Sequence, residues 1–196
     1  NTSVTYSRYR FLTDTRFESR SEVAGQDPEE EKFGYAYNSG IYDWGGNIRF
    51  DYLPSPNHYI RVGLGETYHT FRPGVQTINF NGAGETGIDT TFGQRSIFGH
   101  EWSAYVEDDM KIGQRLKVNP GLHYSGFRVR DKQYNNLQPR ISAAYMLRDN
   151  ISIKGAYSNM AQYLHLLTNA TIGLPTDLWV PVTDTIPPML SDQVAA

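Results

Sequence analysis

The chain has 196 residues, a formal net charge of -3 and no cysteine, so one sizeable domain is expected and disulfide frameworks and thiolate metal sites are excluded. Mean hydropathy is -0.53 and no run of about 18 apolar residues occurs, which excludes a transmembrane helix but not a transmembrane β-barrel, whose polar lumen dilutes the average. The mild charge and the dispersed basic residues argue against nucleic acid as a partner.

Alternation of apolar and polar residues is the main signal, and in chain order it predicts seven strands. A weak first strand covers residues 2–12, and clearer strands follow at residues 43–52, 59–68, 101–112, 115–125, 140–147 and 151–158. In the second strand, Trp44, Ile48 and Phe50 alternate with polar residues. Period-two spacing would scatter apolar residues around a helix, so the pattern predicts an antiparallel β-meander.

The connections between these strands alternate in length. Short ones lie at residues 53–57, 113–114 and 148–150, and longer ones at residues 13–40, 71–97, 128–136 and 164–189. Outer-membrane barrels combine short periplasmic turns with long extracellular loops. The predicted strands, about 10–14 residues long, suffice to cross a bilayer at a tilt, and aromatic residues collect near both ends. These features predict a barrel in the outer membrane of a Gram-negative cell, with Ile153 toward lipid and Lys154 toward the lumen.

Seven strands cannot close a barrel neatly, and residues 192–196, DQVAA, begin only one more alternating run. An unpaired sheet edge in lipid leaves backbone groups without hydrogen bonds, which is costly. Residues 1–196 are therefore expected to be part of a single transmembrane barrel domain, a slice of about seven to eight strands.

Several weak patterns, in the right order, resemble the barrel of TonB-dependent outer-membrane receptors. In LQPRISAAYMLRDNISIKGAYSNMAQYLHLLTN, residues 137–169, a PR pair, a tight Asp-Asn turn and a strand ending in YS precede a long loop. The hairpin YVEDDMKIGQRLKVNPGLHY, residues 105–124, is similar to a family hairpin, with His123 where the family often has Arg. The loop LPTDLWVPVTDTIPP, residues 174–188, is most similar to receptors of Bacteroidetes type, including the SusC-like ones.

The resemblance implies a barrel of about 22 strands around an N-terminal plug, and neither the plug nor the TonB-contacting segment is expected within this sequence. It implies import of a nutrient, such as a glycan, a peptide or a metal chelate. The implied partners are TonB, reached through the missing N-terminal part, outer-membrane lipid, and a surface lipoprotein of SusD-like type. Two alternatives stay open, namely a passive outer-membrane porin or channel and a soluble β-barrel ligand carrier.

No catalytic site, metal site or cofactor is predicted. His100 and Glu101 begin an H-E-x-x-H pattern, but Ala104 takes the place of the second histidine, so a zinc protease site is absent. The five histidines do not have metal-ligand spacing. The chain is therefore expected to be a binding and transport protein rather than an enzyme.

Aromatic residues in long loops can stack on the flat apolar faces of sugars, chelates or peptide side chains. The candidate substrate-binding residues are Tyr163, His165, Asp177 and Trp179 after the seventh strand and Phe71, Arg72, Phe80 and Phe92 after the third. For each of them, packing among the loops is the alternative interpretation. The positions whose parity predicts a lumen-facing side chain are Arg49, Arg61, His69, Lys117, His123, Arg140 and Lys154.

Overall fold

The computed structural model describes residues 1–22, 29–81, 88–93, 96–169 and 176–196. Within these ranges the chain forms β-strands and no helix. None of these residues therefore lies in a helix long and apolar enough to cross a membrane. The strands are β1 Thr2–Ser21, β2 Glu29–Ser55, β3 His58–Asn81, β4 Ile88–Gly93, β5 Ile97–Ile112, β6 Leu116–Val129, β7 Lys132–Arg148, β8 Ile151–Gln162, β9 Leu164–Asn169, β10 Thr176–Pro181 and β11 Met189–Ala195.

The long strands form one antiparallel sheet, an open half-barrel with the order β1-β2-β3-β5-β6-β7-β8-β11. Strand β4 adds to the end of β3, and β9 and β10 form a separate hairpin. The predicted all-β antiparallel meander is thus confirmed. The short turns at residues 56–57, 113–115 and 149–150 mark one end of the sheet, and the opposite end is called the upper end.

Strand register separates the side chains into two faces, because residues paired across antiparallel strands point the same way. One row runs through Ile48, Leu64, Ala104, Tyr124 and Leu137. The neighbouring row is polar and runs through Asn47, Gly65, Ser103, Ser125 and Asn136. The face of the first row is called the outer face and that of the second the inner face. On the outer face, Ile48, Leu64 and Leu137 are 42%, 55% and 60% exposed, which leaves a broad apolar band uncovered by the chain itself.

The strands are longer than the sequence predicts. Residues 13–21 and 29–40, expected in a loop, continue β1 and β2 as a paired ladder, and β3 extends to Asn81 with β4 beside it. This upper part of β1, β2, β3 and β4, residues 11–21, 29–40, 75–81 and 88–93, is called the outer extension. Residues 164–189 hold the β9–β10 hairpin instead of an open loop.

The long loop predicted at residues 128–136 is wrong. Strands β6 and β7 pair as far as Val129 and Lys132 and join through a two-residue turn, in which Arg130 has φ 51. A positive φ at the first central residue alone is the requirement of a type II′ hairpin turn. The prediction failed because Arg128 and Gln133, paired on the outer face, are polar, so apolar alternation stops although the ladder continues.

A bulge reverses the faces of β3 at the base of the outer extension. The register of β2 against β3 shifts between Asn38 and Gly40, so Phe71 lies on the inner face and Val75 on the outer face. Gly74 has φ +105, and a side chain there would meet the ring of Tyr37 at 2.8 Å. Glycine is thus required at position 74 because its φ is positive and because the Tyr37 ring leaves no room for a side chain. As a result of the bulge, Gln76 faces the inner side of the sheet.

Candidate functional site

The β9–β10 hairpin covers the inner face at the upper end of the sheet. The chain leaves the β8 ladder at Tyr163, and β10 then lies against β2 and β3. The chain folds back onto the sheet because apolar side chains lie on both sides of this contact. A buried cluster joins Ile41, Phe71, Phe127, Val129, Tyr163 and Val182, with Leu164 and Trp179 packed against it. Burial of this apolar area holds the hairpin against the wall.

Tyr163 anchors the hairpin through its ring and its hydroxyl. The ring is 2% exposed and stacks on Phe127, with the ring centroids 5.5 Å apart. Its hydroxyl oxygen lies 2.8 Å from Ser125 Oγ and accepts a hydrogen bond of 2.8 Å from Asn136 Nδ2. Gln138 in turn donates to Ser125 Oγ. Buried polar groups need such partners, so the network fixes the hairpin at one position on the wall.

His69 lies directly beneath the cluster, its side chain 6% exposed. Its ring packs against Phe71 and Phe127 at centroid distances of 5.7 and 5.8 Å. Nδ1 lies 2.8 Å from Asp43 Oδ1, and Nε2 lies 3.3 Å from Glu101 Oε2. Both ring nitrogens therefore face carboxylates, so the histidine joins three wall strands. Among the residues that the structure describes, no group of His, Cys, Asp and Glu is arranged to hold a metal ion.

Above the cluster, a cavity of about 990 Å³ opens between the hairpin and the outer extension. Its lining is mixed: Tyr35, Tyr37, Gln76, Phe92, Arg130 and Thr183 contribute aromatic and polar groups, and apolar residues of the hairpin complete it. Phe92 is 57% exposed. Cavities of roughly 300–1,000 Å³ with apolar walls and a few polar groups are typical of small-ligand sites.

The structure brings several of the predicted substrate-binding residues to this region. Phe71 and Tyr163 are in the buried cluster, with Trp179 packed against it. His165 lies on β9 opposite Val180, and its Nε2 is buried without a hydrogen-bond partner in the described part of the chain. Packing therefore accounts for Phe71 and Tyr163, and a direct contact with substrate stays a prediction for all four residues.

The remaining candidates are dispersed. Phe92 lines the cavity, and Phe80 lies farther up on the inner face, paired with Phe33. Asp177 lies on β10, where its backbone pairs with Thr168 of β9. The side chain of Asp177 lies outside the described part of the structure. Arg72 pairs with Gly40 on the outer face, so it is on the other side of the sheet from the cavity.

The seven positions predicted to face the lumen all lie on the inner face, as the register shows for Arg49, Arg61, His69, Lys117, His123, Arg140 and Lys154. Arg61 is ion-paired with Glu107 at 3.0 Å and with Asp109 at 2.9 Å. Lys117 pairs with Lys111 and Ala144, and Ala144 pairs with Lys154. Below the buried cluster, the inner face of the sheet is thus polar and charged.

Sequence reasoning missed the residues that line the cavity from the outer extension. Tyr35, Tyr37 and Gln76 fall in segments that were predicted to be loops. A usable signal existed, because Phe33, Tyr35 and Tyr37 alternate with small or polar residues. Arg130 was not identifiable, since its place depends on the tight turn between β6 and β7.

Comparison with known proteins identifies the family. A family model described as TonB dependent receptor-like, beta-barrel matches residues 1–165. No curated protein matches the chain. Because the model covers most of the chain, the chain belongs to this family of β-barrels.

Proposed function

We propose that this TonB-dependent receptor-like β-barrel chain belongs to an outer-membrane transporter that imports a nutrient, and that the nutrient first binds in the cavity between the hairpin and the outer extension. The observation that carries the proposal is the cavity itself. It lies on the inner face, at the end opposite the short turns, where a solute arriving from outside the cell would enter.

The lining suits a substrate that has both flat apolar faces and polar groups. The exposed ring of Phe92 and the half-buried ring of Tyr35 offer stacking surfaces, while Gln76 and Arg130 offer hydrogen-bond donors. A glycan, a peptide or a metal chelate has this mixed character, and aromatic side chains bind such faces well.

The packed cluster below the cavity supports energised import over passive flow. Phe71 and Phe127 are each 0% exposed, and Tyr163 is held by its hydrogen bonds. A solute that passes along this part of the inner face meets the hairpin packed over it. Displacement of the hairpin would cost free energy, which TonB would supply.

We also propose a surface lipoprotein of SusD-like type as a partner, and outer-membrane lipid as the surroundings of the outer face. Support for the lipoprotein comes from the resemblance of the sequence of residues 174–188 to SusC-like receptors and from the exposed rings of the outer extension. Phe17 is 64% exposed and Phe33 39% exposed, with ring centroids 6.4 Å apart on the inner face. Exposed aromatic residues are enriched where proteins associate.

The test uses the full-length receptor in a host whose own copy is deleted. Uptake of labelled glycans, peptides and metal chelates is compared for the wild type, the double variant Gln76→Ala/Phe92→Ala and the control Val75→Ala/Thr91→Ala. The control residues neighbour the changed ones on the same two strands but face outward. Loss of one stacking contact and one hydrogen bond predicts roughly a tenfold weaker apparent affinity for the double variant only.

Deletion of TonB separates the two transport mechanisms. Energised import predicts that uptake stops in the TonB-deficient host although surface binding persists. Uptake that continues unchanged without TonB would establish a passive channel instead. Equal affinity of the cavity variant and its control would show that the substrate binds elsewhere.

A further inference from the structure

Three arginines surround Tyr42 on the outer face. Arg8 pairs with Tyr42, and Arg10 and Arg72 pair with Gly40 from its two sides. The guanidinium carbons of Arg8 and Arg72 lie 5.1 and 4.7 Å from the centroid of the Tyr42 ring. Gly40 is buried, and a Cβ at this position would meet the Tyr9 carbonyl oxygen at 2.6 Å, so Arg10 and Arg72 flank a position that carries no side chain. The group of Arg8, Arg10 and Arg72 beside Tyr42 is called the arginine notch.

The protein does not neutralise these charges. Within the described ranges, Arg8, Arg10 and Arg72 make no ion pair with a carboxylate. Two ion pairs do occur elsewhere on the same face: Arg16 contacts Asp14 at 3.1 Å, and Glu66 contacts His100 at 3.1 Å.

Like charges repel more strongly beside an apolar surface than in bulk water. The cation–π contacts with Tyr42 offset only part of that repulsion. The arginine notch is therefore a site for an anion that comes from outside the protein.

The notch lies at the boundary between the apolar band and water. One alternation step below it, Tyr6, Trp44 and Tyr68 form an aromatic row on the outer face, with Tyr6 and Trp44 in contact at a ring-centroid distance of 4.7 Å. Below that row the outer face is apolar, including Ile48 and Leu64. Aromatic belts mark the headgroup level of a membrane, so the arginines lie where lipid phosphates lie.

We infer that the arginine notch binds the phosphate of an anionic lipid in the outer leaflet, with the acyl chains lying along the apolar band below it. Guanidinium groups suit this ligand because their donors match phosphate oxygens in pairs. Continuity of the notch with the apolar band favours a lipid over a free ion, since only a lipid occupies both surfaces. The inference depends on the outer-membrane location of the family and not on the import proposed above.

The test measures lipid binding to the full-length receptor, purified in neutral detergent, by native mass spectrometry. The probes are phosphatidic acid, which carries a phosphomonoester, and phosphatidylcholine, which has no net charge. The variant is R8Q/R10Q/R72Q, and the control is R16Q, an arginine on the same strand and face that is neutralised by Asp14. Each arginine near an anionic lipid contributes about a fivefold gain in binding, so the triple variant should bind phosphatidic acid roughly a hundredfold more weakly.

The wild type and R16Q are expected to prefer phosphatidic acid, and R8Q/R10Q/R72Q to bind the two lipids equally. Equal lipid preference in the wild type and the triple variant would overturn the inference. Competition with inorganic phosphate is the second arm, and full displacement of phosphatidic acid at millimolar phosphate would show an ion site without lipid specificity. Should the triple variant fail to fold, R8Q and R72Q singly carry the same test, each with about a fivefold loss.

Discussion

The lower and upper parts of β2 carry their apolar side chains on opposite faces of one continuous strand. In the lower part, Trp44 and Phe50 are on the outer face and are 58% and 63% exposed. In the upper part, Tyr37 and Ile41 are on the inner face and are each 6% exposed. The apolar residues change from one face to the other between Ile41 and Trp44, at the level of the aromatic row on the outer face.

The comparison shows that the surroundings, not the sheet, decide which face is apolar. A strand in a bilayer places its apolar residues toward lipid and its polar residues toward the lumen. In the upper part of β2, an apolar side chain that would otherwise meet water is stabilised only where another element covers it. The β9–β10 hairpin covers the inner face there, and the apolar residues follow it.

The largest expected effect is the loss of the inner cluster. Phe127→Ala removes a 0% exposed ring that contacts Tyr163 and His69. Truncation of such a ring costs about 3–5 kcal/mol, and the cost falls on the docking of the hairpin. Hydrogen exchange of the β9 and β10 amides, measured on the full-length receptor, should become much faster.

Phe98→Ala is the matched control for the other face. Phe98 lies on the outer face at a similar height, is 52% exposed and stacks on Tyr68. Its removal should leave exchange in the hairpin unchanged. If both substitutions loosened the hairpin equally, the apolar residues at this height would not be divided between two separate environments.

The next largest effect concerns the apolar band. Ile48→Arg places a charge toward lipid in the middle of the band, which costs about 2–4 kcal/mol at a bilayer midplane. Asn47→Arg places the same side chain on the inner face, one residue away, and should cost much less. The free energy of unfolding in lipid vesicles, measured by urea titration, compares the two. A smaller loss for Ile48→Arg than for Asn47→Arg would contradict the assignment of faces.

Sequence alternation predicted the lower part of the sheet well and the upper part poorly, for one physical reason. Around Ile48 and Leu64, apolar residues on the outer face recur at every second position, as is typical of strands that face lipid, so the pattern is regular. In the outer extension the outer face meets water and carries charges such as Asp14, Arg16 and Lys32. Apolar alternation there survives only in short pieces, such as Phe33, Tyr35 and Tyr37, which a search for regular strands passes over.

The site was less predictable than the fold, because it depends on how the hairpin folds back. Tyr163, Trp179 and Phe71 were identified as aromatic loop residues, but nothing in their spacing indicates that they pack together across the inner face. Arg72 was also identified as a loop residue, but it points away from the cavity. It lies on the outer face just before the bulge at Gly74, whereas Gln76 lies on the inner face after it. A shift of one residue in register moves a side chain to the other face.

A moderate effect is expected for the hydroxyl that fixes the hairpin. Tyr163→Phe keeps the packed ring but removes the hydrogen bonds with Ser125 and Asn136. Loss of buried hydrogen bonds costs about 1–3 kcal/mol, so hydrogen exchange in β9 should rise less than in Phe127→Ala. Tyr145→Phe, on the outer face, is the control and should have no effect on the hairpin. An unchanged hairpin in Tyr163→Phe would mean that apolar packing alone holds it.

Single spin labels perturb the protein least and give the most direct test of which face each side chain lies on. The chain has no cysteine, so spin labels can be attached singly at Ile153→Cys and Lys154→Cys with little change in stability. Ile153 pairs with Tyr145 on the outer face, and Lys154 pairs with Ala144 on the inner face. In lipid vesicles, the label at residue 153 should collide with dissolved oxygen, which concentrates in the bilayer, and the label at residue 154 with a water-soluble nickel complex. The reverse result would place the polar face toward lipid, which the cost of burying charge in hydrocarbon opposes, and would invalidate the assignment of the outer and inner faces throughout the sheet.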